Sequence, residues 1–276
     1  MPALFERSRR PSLLRRVLAA WRSASPRPGG LAALAEAGST EVVRLDFKPS
    51  DIWLYVTGDI ERRWRTKACA KEPWTVEWLL HDVRPGDVLY DIGANVGAFS
   101  LIAAKHSGAY VVAFEPGYAN FARLCDNIQL NSCGGRIVPL PTALSERAEL
   151  VGFEYRTVEP GQSRHHLSEA RWSIEANDGE KYVQPAATMP LDAVIADYDL
   201  PVPNHLKIDV DGGELRVLRG ARGLLGRPEL RTVLIEAAPA MRDAVQGLME
   251  EAGLRLRANL RLDRSNAPGY ALFERC

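Results

Sequence analysis

The segment Asp87-Val88-Leu89-Tyr90-Asp91-Ile92-Gly93-Ala94-Asn95-Val96-Gly97 constrains this chain more than any other. Residues 88–90 are apolar and short enough for a buried strand. Gly93 permits a sharp turn, and residues 96–105 read as a helix. The rhythm then repeats. Residues 110–114 form a strand, 118–130 a helix with Phe121, Leu124 and Ile128 at i, i+3 and i+7, and 137–140 a strand. It resumes with a strand at 206–210, a helix at 214–225, a strand at 232–235, a helix at 240–252 and two further strands at 254–259 and 270–273. Strand and helix in alternation predict an α/β fold with a doubly wound, mostly parallel sheet covered by helices on both faces.

Three parts follow: a basic N-terminal extension (1–30), a flanking region (31–85) and the main domain (86–276). In the extension, Leu13, Leu14, Val17, Leu18 and Trp21 recur at helical spacing, and seven arginines stand against one acid, Glu6. Such a helix packs on the body, or lies on an anionic membrane or a protein partner. Arg15 and Arg16 interrupt its apolar stretch, so a secretory signal is not expected. The remaining residues are net acidic, which argues against a nucleic-acid partner. In the flank, two β-like stretches (41–47 and 52–57) precede a helix over 73–83, where Pro73 suits the first turn and Trp74, Trp78 and Leu79 share a face. Residues 148–187 break the alternation. They read as a β-rich insertion with a polar loop at Pro160-Gly161, then His165-His166, then an Asn177-Asp178-Gly179 hairpin turn. No run of 18 apolar residues occurs, and the four cysteines (Cys69, Cys125, Cys133, Cys276) form no CxxC pair; a cytoplasmic protein with reduced thiols is expected.

The first turn carries chemistry. In an open α/β sheet, ligands bind beyond the carboxyl ends of the strands. A nicotinamide site wants a second glycine where Asn95 stands, and Asp91 would oppose a pyrophosphate. Asp91 suits an ammonium or sulfonium instead, both of which S-adenosylmethionine carries. Glu115, 22 residues after Gly93 at the end of a strand, is placed to accept ribose hydroxyls.

Five ordered blocks extend the pattern: Asp91 to Gly97; Phe114-Glu115-Pro116; Asn127-Ile128-Gln129-Leu130-Asn131; Ala143-Leu144-Ser145; and Leu206-Lys207-Ile208-Asp209-Val210-Asp211-Gly212-Gly213-Glu214 with Val217-Leu218-Arg219-Gly220-Ala221. Together they resemble the FkbM family of S-adenosylmethionine-dependent methyltransferases over roughly residues 72–240. This sequence departs from the family pattern at Asp211, where Glu is usual, and at Gly213, where Ala is frequent. The resemblance implies a class I, Rossmann-like sheet of seven strands with the last antiparallel, and O-methylation of a sugar, polyketide or glycolipid hydroxyl. It implies that Asp91, Gly93, Ala94, Asn95 and Gly97 line the methionine end of the cofactor, that Glu115 and Pro116 flank the ribose, and that Ala143 and Leu144 lie beside adenine. The 148–187 insertion would face the substrate.

A neutral hydroxyl needs help to lose its proton. On a strand Lys207, Asp209 and Asp211 point to one side, and Glu236 ends the next strand. Asp209 is the expected base, with Lys207 and Asp211 beside it. Alternatively Asp209, Asp211 and Glu236 hold Mg²⁺, or His165 or His166 serves as base from the insertion. Glu72 is placed to reach the cofactor edge from the flank. His205 reads as structural, His81 and His106 as exposed, and Trp64, Trp74, Trp78 and Trp172 mostly as packing. The competing classes are a nicotinamide-dependent oxidoreductase and a non-catalytic binding protein of the same fold. A homo-oligomer is compatible with either class.

Overall fold

The computed structural model describes residues 40–172, 182–260 and 268–275. The N-terminal extension and the Asn177-Asp178-Gly179 turn lie outside them. The described chain opens with an antiparallel pair, β1 (Glu41–Arg44) and β2 (Trp53–Val56). A π-helical turn (Glu61–Arg65), one α-turn (Ala68–Lys71) and α1 (Pro73–His81) lead into the main domain. There β3 (Val88–Ile92), α2 (Ala98–Lys105), β4 (Tyr110–Phe114), α3 (Tyr118–Leu130) and β5 (Ile137–Leu140) alternate. The insertion contributes β6 (Ala143–Leu144), β7 (Glu149–Glu154), β8 (His166–Arg171) and β9 (Val183–Met189). The alternation returns with α4 (Leu191–Asp197), β10 (His205–Ile208), α5 (Glu214–Arg219), α6 (Arg222–Leu225), β11 (Thr232–Ala237), α7 (Arg242–Glu251), β12 (Leu254–Leu260) and β13 (Gly269–Arg275).

The central sheet runs β5-β4-β3-β10-β11-β13-β12. Its strand pairs are parallel except where β13 pairs antiparallel with both β11 and β12. The chain builds outward from β3 in one direction, then restarts at β10 and builds in the other. The crevice between β3 and β10 is therefore the topological switch point. The insertion forms its own four-stranded sheet, β6-β9-β7-β8.

Side-chain alternation splits the core between the two faces. Leu89, Val111, Ala113 and Leu234 pack with α1 and α2, while Tyr90, Ile92, Val112, Phe114, Leu206, Ile208, Val233 and Ile235 pack with α4 to α7. Two elements depart from the sequence expectation. The helix over 214–225 is two helices, because a side chain at Gly220 would stand 2.1 Å from the Ser145 carbonyl oxygen, and the chain turns there. The helix α4 carries no strong periodic signal over its seven residues, yet Leu191 and Val194 are fully buried.

Candidate active site

Strand register assembles the site. In the β3–β10 pair Asp91 is directly beside Lys207, and in the β10–β11 pair Lys207 is beside Leu234. One pleat further out, the same face carries Gly93, Asp209 and Glu236, and Tyr270 of β13 stands opposite Glu236. Four strands thus place three acids, a lysine and a tyrosine at one end of the sheet.

The contacts follow from that placement. Lys207 is buried, with Nζ 3.6 Å from Asp91 Oδ1 and 3.4 Å from Asp209 Oδ2, above the Phe99 ring. Burial alone would strip its proton, but Asp209 and Asp91 outweigh that and raise it above the usual lysine value. Ser100 donates to Asp91 Oδ2 at 2.6 Å, which leaves Asp91 Oδ1 buried without a hydrogen-bond partner. Burial raises the Asp209 carboxyl, yet the net shift is downward, because Lys207, Lys71 and the Tyr270 hydroxyl favour its ionised form. Tyr270 Oη lies 2.9 Å from Asp209 Oδ2 and 3.1 Å from Glu72 Oε2. Glu236 is pushed up to about 9 by burial and by Asp209, and keeps a proton that it donates to Asp209.

Gly93 has φ 83°, and a side chain there would lie 1.8 Å from the Asp209 carbonyl oxygen. Glycine is thus required both by the turn and by the approach of β10. Asn95 also adopts positive φ, and its backbone N–H donates to Glu115 Oε2 at 2.8 Å. The Gly117 N–H donates to the other oxygen at the same distance. Burial drives the Glu115 carboxyl up to about 7 despite these bonds. Ala94 is buried beneath the turn, Gly97 caps α2, and the Pro116 carbonyl accepts from Gln184.

Several expectations are corrected. Strand β10 ends at Ile208, so the alternation does not carry Asp211 to the same side. Asp211 adopts φ 54°, is exposed, and accepts the Arg164 N–H at 2.6 Å. Among the described residues no three Asp, Glu, His or Cys side chains converge to hold a metal. Asp211 faces the loop and not Asp209 and Glu236, so the three acids do not form the Mg²⁺ site expected from the sequence. Neither histidine of the insertion stands as a free base. His165 is buried between Phe153 and Tyr155, takes the Arg156 N–H on Nδ1 and is lowered to about 4 by burial. His166 is exposed and pairs with Glu154 at 3.3 Å. Ala143 and Leu144 are buried in β6, where they pair with Thr188 and Met189, and their place beside a nucleoside remains an expectation.

The remaining histidines and tryptophans take their expected places. His205 is buried, bonded to Thr232 and Asp87, while His81 and His106 are exposed. Trp78 packs in the core, Trp74 against Tyr270, Trp172 is half-buried, and Trp64 is exposed.

Three features of the candidate site escaped the sequence: Tyr270, Arg65, and the loop 159–164. Arg65 Nε donates to the Gly161 carbonyl at 2.5 Å; burial lowers its guanidinium, and the charges of Glu72, Asp209, Glu115 and Asp211 resist. The Gln162 carbonyl accepts from Asn95 Nδ2 at 2.8 Å and Asn120 Nδ2 at 3.1 Å, so the loop is latched to the first turn. No local pattern announces these contacts, because each joins segments distant in sequence.

A seven-stranded sheet whose one antiparallel strand is inserted next to the edge, with acids at the tips of β3, β4 and β10, defines a class I methyltransferase. The profile of the Methyltransferase FkbM domain matches residues 91–263, and the chain belongs to that family. It is 28% identical over 200 residues to the hexuronic acid methyltransferase AglP of Haloferax volcanii, covering 72% of this chain and 77% of that protein. It is 32% identical over 182 residues to the 31-O-demethyl-FK506 methyltransferase FkbM of Streptomyces tacrolimicus, covering 58% and 69%. Among solved structures it is similar to a methyltransferase FkbM from Methylobacillus flagellatus at 15% identity and a TM-score of 0.45, covering 68% of this chain and 43% of that one.

Proposed function

We propose that this methyltransferase uses S-adenosylmethionine to methylate a hydroxyl of a small molecule or glycan, with a sugar or polyketide as acceptor. The observation that carries the proposal is the buried Asp91–Lys207–Asp209 chain at the switch point, with Asp91 Oδ1 left without a hydrogen-bond partner. A buried acceptor atom whose nearest cation stands beyond hydrogen-bond distance has room for a ligand donor to complete it. An ammonium group supplies that donor. Glu115 fits the ribose, since two N–H bonds use only part of a carboxylate's accepting capacity. When bound, the cofactor supplies an electrophilic methyl group on a sulfonium.

This chain's residues then orient and deprotonate. Lys207 holds Asp209 ionised, and an ionised carboxylate is the form that takes a proton from a hydroxyl. The aromatic and loop residues of the insertion stand beside Glu115, where Tyr155 bonds the Tyr118 N–H. They are suited to shield the site from water. A hexuronic acid acceptor in one relative and an FK506 precursor in another support a hydroxylated acceptor without choosing between sugar and polyketide. We retain three further proposals. The thiols of Cys69, Cys125 and Cys133 are free, which fits a cytoplasmic, reducing setting. Residues 1–30 would contact a membrane surface or a protein, and the chain would form a homo-oligomer. Among the described residues no helix is long and apolar enough to cross a membrane.

Calorimetry with S-adenosylhomocysteine, followed by a labelled-methyl screen over hexosides, hexuronosides and polyketide alcohols, tests the function. Binding and a labelled ether product are expected. Absence of heat on folded protein would overturn the cofactor assignment.

A further inference from the structure

We infer that Tyr270 and Glu72 form a proton relay that carries the acceptor's proton from Asp209 toward solvent. The inference rests on Asp209 being the base. The Tyr270 hydroxyl is buried between two carboxylates, 2.9 Å from Asp209 Oδ2 and 3.1 Å from Glu72 Oε2. One O–H donates one hydrogen bond, so this chain is one proton short of having both contacts satisfied. The proton that Asp209 accepts supplies the missing one. Asp209 then donates to the Tyr270 oxygen, and Tyr270 donates to Glu72. One proton enters at Asp209 and one reaches Glu72 per turnover; only O–H bonds change.

The other exits are closed. Glu236 already holds a proton and donates to Asp209. Lys207 is protonated and pinned by Asp91 and Asp209. Asp211 is turned to the Arg164 N–H. At the far end Glu72 Oε1 pairs with Lys71 Nζ at 2.9 Å, and the Lys71 side chain is 35% exposed; the Lys71 ammonium releases one proton to water and takes the one held by Glu72, which resets the chain. Trp74 stacks against the Tyr270 ring at 5.5 Å, and Thr75 Oγ1 donates to Glu72 at 3.4 Å, which fixes both members.

The experiment compares the full chain with Y270F, E72Q and the double variant, using p-nitrophenyl β-glucuronide and p-nitrophenyl β-glucoside as acceptors and calorimetry with S-adenosylhomocysteine. In a relay, each single variant lowers kcat about tenfold or more, shifts the solvent isotope effect, and leaves product affinity within about twofold; the double variant is no worse than the singles. Additive losses, or unchanged kcat and isotope effect, overturn the relay. If D209N is inactive while Y270F is not, only the relay fails; if D209N retains activity, the base assignment fails with it. A second measurement needs no acceptor. Infrared bands of protonated carboxyls are followed on acid titration, the Glu72 band being the one lost in E72Q. The relay predicts that D209N displaces the Glu72 band in the parent chain and not in Y270F. A displacement that survives in Y270F would reduce the coupling to electrostatics and overturn the relay.

Discussion

The tips of β4 and β10 each end in a carboxylate, buried at Glu115 and half-buried at Asp209, and the two behave oppositely. Glu115, beyond β4, is held by the N–H groups of Asn95 and Gly117, feels Arg65 only as a charge without an ion-pair contact, and burial carries it up to about 7. Asp209, beyond β10, is only half-buried but has Lys207 at 3.4 Å, and its carboxyl falls below the ordinary value. Hydrogen bonds and a charge out of contact offset desolvation only in part, whereas a lysine in direct contact reverses it. A group of the first kind suits hydroxyl recognition; one of the second kind stays ionised to accept a proton.

The sharpest way to break this contrast is Asp209→Asn. It should lower kcat about 10²- to 10⁴-fold, the range for a positioned proton acceptor. Calorimetry should find S-adenosylhomocysteine affinity within several-fold of the parent, and unchanged turnover would remove Asp209 from the chemistry. Lys207→Met should convert Asp209 to the Glu115 type. It leaves Asp91 and Asp209 buried without their cation, and chemical denaturation should show a loss of about 3–5 kcal/mol. A loss below 1 kcal/mol, the ceiling for most exposed pairs, would mean the pair is not buried as described.

Glu115→Gln comes next. It keeps the shape but loses the charged acceptor, worth about 1.5–3 kcal/mol per hydrogen bond, so cofactor affinity should fall about tenfold to a hundredfold. Calorimetry reads this directly.

The smallest effects are in the pH dependence of stability. Glu115 binds its proton more tightly folded than unfolded, so its contribution is present below 4.5 and is lost as pH rises toward about 7. Glu236 acts in the same direction, up to about 9. Asp209 acts in the opposite direction: its contribution is present above 3.8 and is lost as pH falls through its lowered folded value. Denaturation midpoints across pH should therefore flatten between 4.5 and 7 in Glu115→Gln, whereas Asp209→Asn should flatten them at acid pH and, by removing the charge that raises Glu236, weaken the fall toward 9. The same profile in both variants would erase the contrast.

Much of this was legible in the linear chain. Alternating apolar strands and amphipathic helices announced the parallel sheet, since periods of 2 and 3.6 are local properties of a few residues. Asp91, Gly93, Glu115 and Asp209 were legible for a related reason: each sits at a strand end, and the strands themselves could be found. Asp211 was misplaced because strand alternation was extended past the point where β10 stops. His165 and His166 were weighed as bases because their type allows it, and their neighbours, Phe153 and Tyr155 for one and Glu154 for the other, settled otherwise.

Tyr270 shows the limit most clearly. The tail was recognisable as a strand and the family resemblance implied that the last strand is antiparallel, but nothing in residues 268–275 says that it enters between β11 and β12 with Tyr270 opposite Glu236. The order of amino acids settled which segments pair their backbones along strands and which coil into helices, because those preferences act over a few neighbouring bonds. Which carboxyl meets a lysine, a tyrosine or only amide hydrogens was decided by strand order and register, since charges and hydroxyls interact through space across hundreds of residues of chain.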